Sequence, residues 1–160
     1  MIKPAQEKDI EQITEIYNYA ILNTTATFDT EPKTYEDRCK WFHEHTGYHY
    51  IIVYEENKKV LGYASLSQYI AKEAYDSTVE LSIYVHHEYQ GKHIGKQLME
   101  SILDMAFKCD KIKTVVSLIT AENKISIHMH EEAGFRYCGT MNHVGEKFGR
   151  MLDVAFFQIK

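Results

Sequence analysis

The chain has few of the features that mark membrane-spanning or disulfide-rich proteins. No apolar run among its 160 residues approaches the roughly 20 residues of a membrane span. Its 3 cysteines, Cys39, Cys109 and Cys138, are odd in number and widely separated. This pattern favours reduced thiols in a cytoplasmic protein. The first residues also lack a charged region followed by an apolar stretch, so they predict no secretory signal.

Charge and histidine spacing exclude two further kinds of site. The net charge is −5 and the charged residues are scattered, so no basic stripe predicts binding to nucleic acid. The histidine pairs His43/His45 and His128/His130 are two residues apart, which on a helix points them to different sides. No C-x-x-C or H-E-x-x-H motif occurs. We therefore expect no metal.

The length and composition of the chain are those of a folded domain. A chain of 160 residues with 44% hydrophobic and 12% aromatic residues can bury a core, and its length predicts a single domain over 1–160. Asp9 with Gln12, and Thr34 with Asp37, resemble helix-capping boxes. Strands are predicted at Ile2–Ala5, His49–Glu55, Lys59–Gln68, Val79–Val85, Lys113–Ile119, Phe135–His143 and Lys147–Gln158, the last two joined at Gly145-Glu146.

The strand over 79–85 leads directly into a glycine-containing loop and a helix. Val79 to Val85 alternates apolar and polar residues. Strand, helix and the next strand up to residue 119 predict a parallel pair with a right-handed crossover. A helix N-terminus has unpaired N–H groups and the positive end of the helix dipole. Gly91 and Gly95 favour close approach of a ligand, so the loop predicts a phosphate or pyrophosphate site.

Neither a nucleotide triphosphate nor NAD is the expected ligand of this loop. A P-loop has four residues between its glycines and Ser or Thr after the lysine. Here three residues separate Gly91 from Gly95, and Gln97 follows Lys96. The dinucleotide pattern G-x-G-x-x-G is also absent.

The loop resembles the Q-x-x-G-x-G/A coenzyme A loop of the GNAT N-acetyltransferase superfamily. Gln90 and Gly95 match it, while His93 stands where that family usually has glycine. A narrower resemblance, to the phosphinothricin acetyltransferase group, covers nearly the whole chain. It rests on T-F-D-T-E-P at 27–32, A-Y-D-S-T-V-E-L-S-I-Y-V at 74–85, M-H-E-E-A-G-F at 129–135 and G-E-K-F-G-R-M-L-D-V at 145–154.

This resemblance implies a fold, a co-substrate and an assembly. The fold would be α/β of the mixed α+β kind, a strongly bent mixed sheet of about seven strands flanked by about four helices. The co-substrate would be acetyl-CoA, with no metal. Members are often homodimers, and we expect no membrane or nucleic-acid partner.

The resemblance also implies roles for individual residues. Glu80 matches the family glutamate that acts as a base, directly or through water. His130 stands where many members have a tyrosine thought to protonate the leaving thiolate, so it is either that acid or a second base. The main chain near Ile83–Val85 would pair with the pantetheine arm and polarise the thioester carbonyl.

Two groups of binding residues follow. Those implied for the coenzyme are Ile83, Tyr84, Val85, Gln90, Gly91, Lys92, His93, Ile94, Gly95, Lys96, Asn123 and Ser126. Those chosen for the acceptor are Phe28, Lys72, Tyr75 and Tyr84, with Lys72 standing where members commonly carry arginine. Lys147 and Arg150 either close the site or lie at a dimer contact.

The expected activity is acetyl transfer from acetyl-CoA to the primary amine of a small amino-acid-like acceptor. Phosphinothricin, methionine sulfone and methionine sulfoximine are the acceptors that the resemblance implies. Two alternatives stay open: acetylation of a polyamine, an aminoglycoside or a protein N-terminus, and a coenzyme A-binding sensor module without turnover.

Overall fold

The computed structural model describes all residues, Met1–Lys160, as one seven-stranded sheet with helices on both faces. In chain order the elements are β1 (Ile2–Pro4), α1 (Ile10–Asn23), α2 (Tyr35–Glu44), β2 (Ile51–Glu56), β3 (Lys59–Gln68), β4 (Thr78–Val85), α3 (Ile94–Phe107), β5 (Thr114–Thr120), α4 (Lys124–Glu132), β6 (Arg136–Lys147) and β7 (Arg150–Ile159). The strand order is β1-β2-β3-β4-β5-β7-β6, and only β4 and β5 are parallel.

Each face of the sheet has its own apolar core. Helix α3 buries one stripe, including Leu98 and Ile102, on the face to which Val79 and Leu81 of β4 contribute. Helix α1 packs on the other face through residues such as Ile13. Fully burying a side chain of this size contributes about 1.5–3 kcal/mol. These two layers hold β4 in place from both sides.

The parallel pair separates partway along its length. Strand β4 is paired with β5 only over Thr78–Glu80 and 114–116. Beyond that point β4 stays paired with β3 as far as Val85, and β5 stays paired with β7 as far as Thr120. Both strands therefore continue, but with a gap between them. We call the gap between residues 81–85 and residues 117–120 the cleft.

The main chain of β4 directs half of its polar groups into the cleft. The His86 N–H donates to the Leu61 carbonyl at 2.8 Å. In an antiparallel ladder, alternate residues then bond to β3, which includes Glu80 and Tyr84. The N–H and C=O groups of the intervening residues 81, 83 and 85 consequently face the cleft.

The two predicted capping boxes have different outcomes. At the start of α2 the prediction is confirmed: the Asp37 N–H donates to Thr34 Oγ1 at 3.0 Å, and the Thr34 N–H donates to Asp37 Oδ2 at 2.9 Å. The Asp9/Gln12 box is wrong. Asp9 instead accepts from the Gln6 N–H, and Gln12 reaches across to β3, where its Oε1 accepts from the Val60 N–H at 2.9 Å.

The turn of the last hairpin is also placed differently from the sequence expectation. The turn is at Phe148–Gly149, both with positive φ (53° and 71°), rather than at Gly145-Glu146. Two residues with positive φ form the tight turn that suits the twist of a hairpin. Gly145 lies inside β6, opposite Leu152. It packs against Phe28, and a Cβ at this position would overlap the Phe28 ring.

No helix is both long and apolar enough to reach across a membrane. The three cysteines are free thiols. No three His, Cys, Asp or Glu side chains come together as a set that could hold a metal ion.

Candidate active site

The cleft holds a cavity of about 60 Å³ bounded by β4, β5 and the first turns of α4. Its polar walls come mainly from the β strands and from α4. Five of the residues chosen from the sequence meet here: Ile83, Tyr84, Asn123, Ser126 and His130. Asn123 is the N-cap of α4, with its Oδ1 accepting from the Ser126 N–H at 3.2 Å. An opening between parallel strands, with unpaired main-chain groups on one side, can accept an extended polar chain.

The loop before α3 follows directly from the end of β4. Residues 90–93 are exposed, and Gly91 has a φ of 79°. The N–H of Gln97 donates to the His93 carbonyl at 3.1 Å, which is the first bond of the helix. The N–H groups of residues 94–96 therefore have no partner within the helix. This arrangement is suited to an anion.

His93 adopts the backbone conformation that glycine usually occupies. Its φ is 62° and its ψ is 18° at the N-cap of α3. The left-handed conformation costs a residue with a Cβ roughly 1–2 kcal/mol. Gly95 is closely packed, since a Cβ there would make a tight contact of 3.2 Å with the sulfur of Met129 and an ordinary contact of 3.6 Å with Val85 Cγ2. The loop is thus held against both β4 and α4.

Glu80 lies at the base of the cleft, the last residue of β4 to be paired with β5. It is opposite Ser67 of β3 and beside Val116 of β5. Its half-buried carboxylate has no hydrogen bond or ion pair within the chain. Burial raises the pKa of Glu80 above its usual value. The carboxylate therefore binds a proton more readily than an exposed glutamate does.

His130 is a buried histidine with a defined tautomer. It is 4% exposed, and its ring lies edge-on to Phe135 at 4.8 Å between centroids. Nδ1 lies 2.7 Å from the Ser126 carbonyl oxygen, which can only accept, so Nδ1 carries the proton. Nε2 then accepts from the Ser117 hydroxyl at 2.9 Å. Burial lowers the pKa of His130, which favours the neutral ring.

The acceptor residues chosen from the sequence fall into two places. The Tyr84 ring lies 5.3 Å from that of Tyr17, and Phe28 lies over Gly145 of β6. Lys72 and Tyr75 are exposed and lie together on a short turn between β3 and β4. None of Phe28, Lys72 and Tyr75 lines the cleft cavity.

The segment between α1 and α2 is fixed by contacts from distant parts of the chain. Lys147, only 4% exposed, donates from Nζ to the Thr27 carbonyl at 2.7 Å, and burial lowers its pKa. Thr27 Oγ1 lies 3.0 Å from the Tyr17 hydroxyl. The sequence leaves two roles open for Lys147, and in the structure this residue lies inside the molecule, where it holds this segment.

Arg150 is placed by an ion pair. Its two terminal nitrogens each lie 3.0 Å from a different oxygen of Glu122, and Thr25 Oγ1 donates to the same carboxylate at 2.7 Å. Those hydrogen bonds, with Arg150 first, lower the pKa of Glu122 to about 2. The pair joins β7, the start of α4 and the segment after α1.

Sequence reasoning missed two groups that come from α2 and its C-cap residue, Arg38 and His45. The guanidinium of Arg38 lies between the rings of Trp41 and Tyr17, at 3.8 and 4.4 Å from their centroids. His45 lies 2.8 Å, through Nε2, from Ser67 Oγ. No local sequence pattern indicates either group, because each depends on how α2 is placed over β3.

Comparisons with known proteins agree with this geometry. The family model described as acetyltransferase (GNAT) matches residues 13–135. The L-amino acid N-acyltransferase MnaT of Escherichia coli is 38% identical over 99% of this chain and 92% of its own length. An L-methionine sulfoximine/L-methionine sulfone acetyltransferase of Salmonella typhimurium is 38% identical over 99% and 93%. A phosphinothricin N-acetyltransferase of Streptomyces coelicolor is 37% identical over 98% and 94%.

A solved structure extends the agreement to three dimensions. The acetyltransferase yncA of Salmonella typhimurium, described with its cofactor acetyl-CoA, has a TM-score of 0.96 and 36% identity. The match covers 100% of this chain and 92% of that one. The predicted fold, a mixed sheet of seven strands with four helices, is confirmed. The chain belongs to the GNAT acetyltransferase family and is an acetyl-CoA-dependent N-acetyltransferase.

Proposed function

We propose that this enzyme moves the acetyl group of acetyl-CoA to the primary amine of a small amino-acid-like acceptor, of the methionine sulfoximine, methionine sulfone or phosphinothricin type. The observation that carries the proposal is the match, over almost the full length, to acetyltransferases with those acceptors. The unpaired carboxylate of Glu80 at the base of the cleft supports it.

The coenzyme lies along the cleft. Its pyrophosphate contacts the N–H groups of residues 91–96, with Gln90 alongside. Its pantetheine arm lies beside residues 83–85, where the free main-chain groups of Ile83 and Val85 face the gap. Asn123 and Ser126 contact the arm from α4.

Glu80 removes the proton that the acceptor ammonium must lose. Burial raises the pKa of Glu80 toward neutral pH, and a general base is most effective when its pKa lies near the working pH. The freed amine attacks the thioester carbonyl, and a cleft-facing N–H of β4 stabilises the negative oxygen. The C–S bond then breaks and the thiolate leaves, while the attacking nitrogen loses its second proton to a second base or to the thiolate, which gives the neutral amide.

His130 fits the part of second base better than that of acid. In its neutral form the proton is on Nδ1, bonded to the Ser126 carbonyl. Nε2 presents a lone pair toward Ser117. To protonate a thiolate, the ring would first have to gain a proton, which its burial opposes.

Lys72 binds the acceptor carboxylate as a point charge, and Phe28, Tyr75 and Tyr84 enclose the rest of the acceptor. The side chain of Lys72 is exposed and makes no ion pair within the chain, so it is free to engage a ligand. A single lysine fixes the orientation of a carboxylate less tightly than a two-pronged arginine.

An acceptor panel tests the activity. Purified enzyme and acetyl-CoA are mixed with methionine sulfone, methionine sulfoximine, phosphinothricin, spermidine, an aminoglycoside and a peptide with a free N-terminus, and free thiol is followed. We expect release with the first three. Coenzyme binding without transfer to any amine would favour the sensor module, and transfer only to the last three would favour the other acceptors.

Two variants test the residue roles in the same assay. Glu80→Gln should lower kcat at least about tenfold, roughly 1.4 kcal/mol of transition-state stabilisation, with little change in coenzyme affinity. Lys72→Ala should raise the KM of an amino-acid acceptor more than that of its amide. Unchanged kcat in the first case, or equal KM effects in the second, would contradict the role concerned.

The assembly we propose is a cytoplasmic homodimer that uses the β6 side of the sheet. Strand β6 is an edge strand of 12 residues. Large exposed apolar side chains lie on it or next to it: Tyr137, Met141, Val144, Phe148 and Met151. Exposed apolar side chains on a long edge strand are typical of an interface between chains.

A further inference from the structure

We propose that Ser67 and His45 form a relay that carries to solvent the proton taken up by Glu80. The inference rests on the proposed function, in which Glu80 is the base. A base that works in every turnover must also lose its proton in every turnover. The half-buried carboxylate of Glu80 has no bonded partner of its own through which to do so.

Ser67 is the residue next to Glu80 on the adjoining strand. The two are directly opposite in the β3–β4 ladder, in a pair whose main chains are hydrogen-bonded. Side chains opposite each other in an antiparallel pair share a face, with Cβ atoms about 4.5–5.5 Å apart. A glutamate side chain can span that separation.

His45 lies on the far side of Ser67. It follows α2 as its C-cap residue, and its Nδ1 lies 2.6 Å from the Trp41 carbonyl oxygen. That oxygen can only accept, so Nδ1 carries the proton and Nε2 accepts from the Ser67 hydroxyl at 2.8 Å. His45 is half-buried at the end of α2.

The hydrogen-bond directions explain why Ser67 and Glu80 are not bonded to each other here. The only proton of the Ser67 hydroxyl is given to His45. An ionised Glu80 has no proton to offer, and two acceptors do not bond. Once Glu80 has taken a proton, it can donate that proton to a free lone pair of Ser67 Oγ.

His130 provides an independent example of the same arrangement. It too donates from Nδ1 to the carbonyl four residues earlier and accepts at Nε2 from a strand serine, Ser117. The serines of the two pairs lie on β3 and β5, the strands on either side of β4. Of these two serines only Ser67 shares the sheet face of Glu80, because Ser117 lies two residues after Val115 and so on the opposite face, with Val79 and Val115.

The relay balances as a transfer of one proton. The Glu80 O–H bond breaks and its proton bonds to Ser67 Oγ, while the original hydroxyl proton of Ser67 bonds to His45 Nε2. The products are a carboxylate, a neutral serine and an imidazolium, which then gives a proton to water.

The surroundings of His45 favour release of that proton. Burial first, then the charges of His49 and Arg38, lower the pKa of His45, while the Trp41 carbonyl and Glu44 act to raise it. A lowered pKa means that the imidazolium loses its proton readily at neutral pH. As pH falls, the ring becomes protonated and can no longer accept from Ser67, so turnover through the relay should fall.

The test compares two serines on one face of β3. Ser67→Ala should lower kcat by about tenfold with the KM of both substrates unchanged, and added imidazole should restore part of the loss by accepting the proton directly. Ser67→Thr, which keeps the hydroxyl, should retain most of kcat. Ser65→Ala is the matched control, because Ser65 is buried on the same face and bonds to no histidine. His45→Gln should repeat the loss.

The outcomes separate this inference from the proposed function. In a Glu80→Gln background, Ser67→Ala should cause no further loss, since no proton then needs the relay. If Glu80→Gln alone leaves kcat unchanged, the base assignment fails. If Glu80→Gln lowers kcat but Ser67→Ala leaves kcat and its imidazole dependence unchanged, or lowers kcat equally in both backgrounds, the relay is overturned while the base stands.

Discussion

His93 is one of five non-glycine residues with a positive φ. It holds a left-handed conformation at the front of α3, in a loop position where the resembled family usually has glycine. Histidine tolerates this conformation better than most residues, but a Cβ still makes it costly. The loop therefore keeps a shape suited to glycine although the residue has changed.

Replacing His93 tests this cost. The Gly variant should exceed the Ala variant in free energy of unfolding by about 1 kcal/mol, because Ala retains the unfavourable Cβ and Gly does not. Urea unfolding followed by circular dichroism measures the difference. Equal stability of the two variants would show that the backbone is not strained here.

The sequence located some site residues and could not locate others. The strand around Glu80 and the four-residue spacing of Ser126 and His130 are local patterns that the sequence shows, but the roles proposed for these residues came from the family resemblance. The bond from Ser67 to His45 depends on how α2 packs over β3, and the position of Ser67 opposite Glu80 depends on the register of β3 against β4. Neither the packing of α2 nor the strand register can be predicted from a short stretch of the sequence.

At the scale of elements, the segment between α1 and α2 is held in place by contacts with distant parts of the chain. Lys147 holds the Thr27 carbonyl, and Glu122 joins Thr25 to Arg150. Phe28 packs on Gly145, which leaves no room for a side chain. Three separate elements thus determine where this segment lies relative to Tyr17 and the sheet.

Gly145→Ala should displace Phe28. The added methyl would overlap the ring, and overpacking of this kind typically costs about 1–3 kcal/mol. We expect a lower unfolding temperature and a several-fold rise in the KM of the acceptor, with coenzyme affinity unchanged. Thermal melts and steady-state kinetics measure both effects.

Phe28→Ala provides the matched background for that measurement. With the ring removed, Gly145→Ala should cost little further stability. A full additional loss in this background would mean that Gly145 is needed for some other reason than the space taken by Phe28.

The whole-molecule arrangement was predictable in outline. The parallel pair, the two-sided sheet and the order of elements followed from periodicity and the resemblance. The Asp9/Gln12 box failed because Gln12 is used across the fold, by Val60. The hairpin turn failed because Gly145, a glycine in a turn-like sequence, serves packing against Phe28 instead. Both errors arise where a distant contact determines the role of a residue.

The proposed dimer gives a prediction at this scale. If β6 is the interface, Met141→Lys should convert a dimer to a monomer, because a charge would be buried on the edge. Leu22→Lys on α1 is the matched control, since Leu22 is equally exposed but lies outside the β6 side. Sedimentation equilibrium measures both masses. A monomeric parent protein, or a dimeric Met141→Lys variant, would exclude this interface.

The gap between β4 and β5 also makes the stability of the folded protein depend on the concentration of acetyl-CoA. A sheet left open over several residues lacks ladder bonds that an inserted extended ligand supplies. Occupancy at a hundred times the dissociation constant adds about 2.7 kcal/mol to the folded state. A cell rich in acetyl-CoA would thus keep more of this enzyme intact against heat and proteolysis than a starved one.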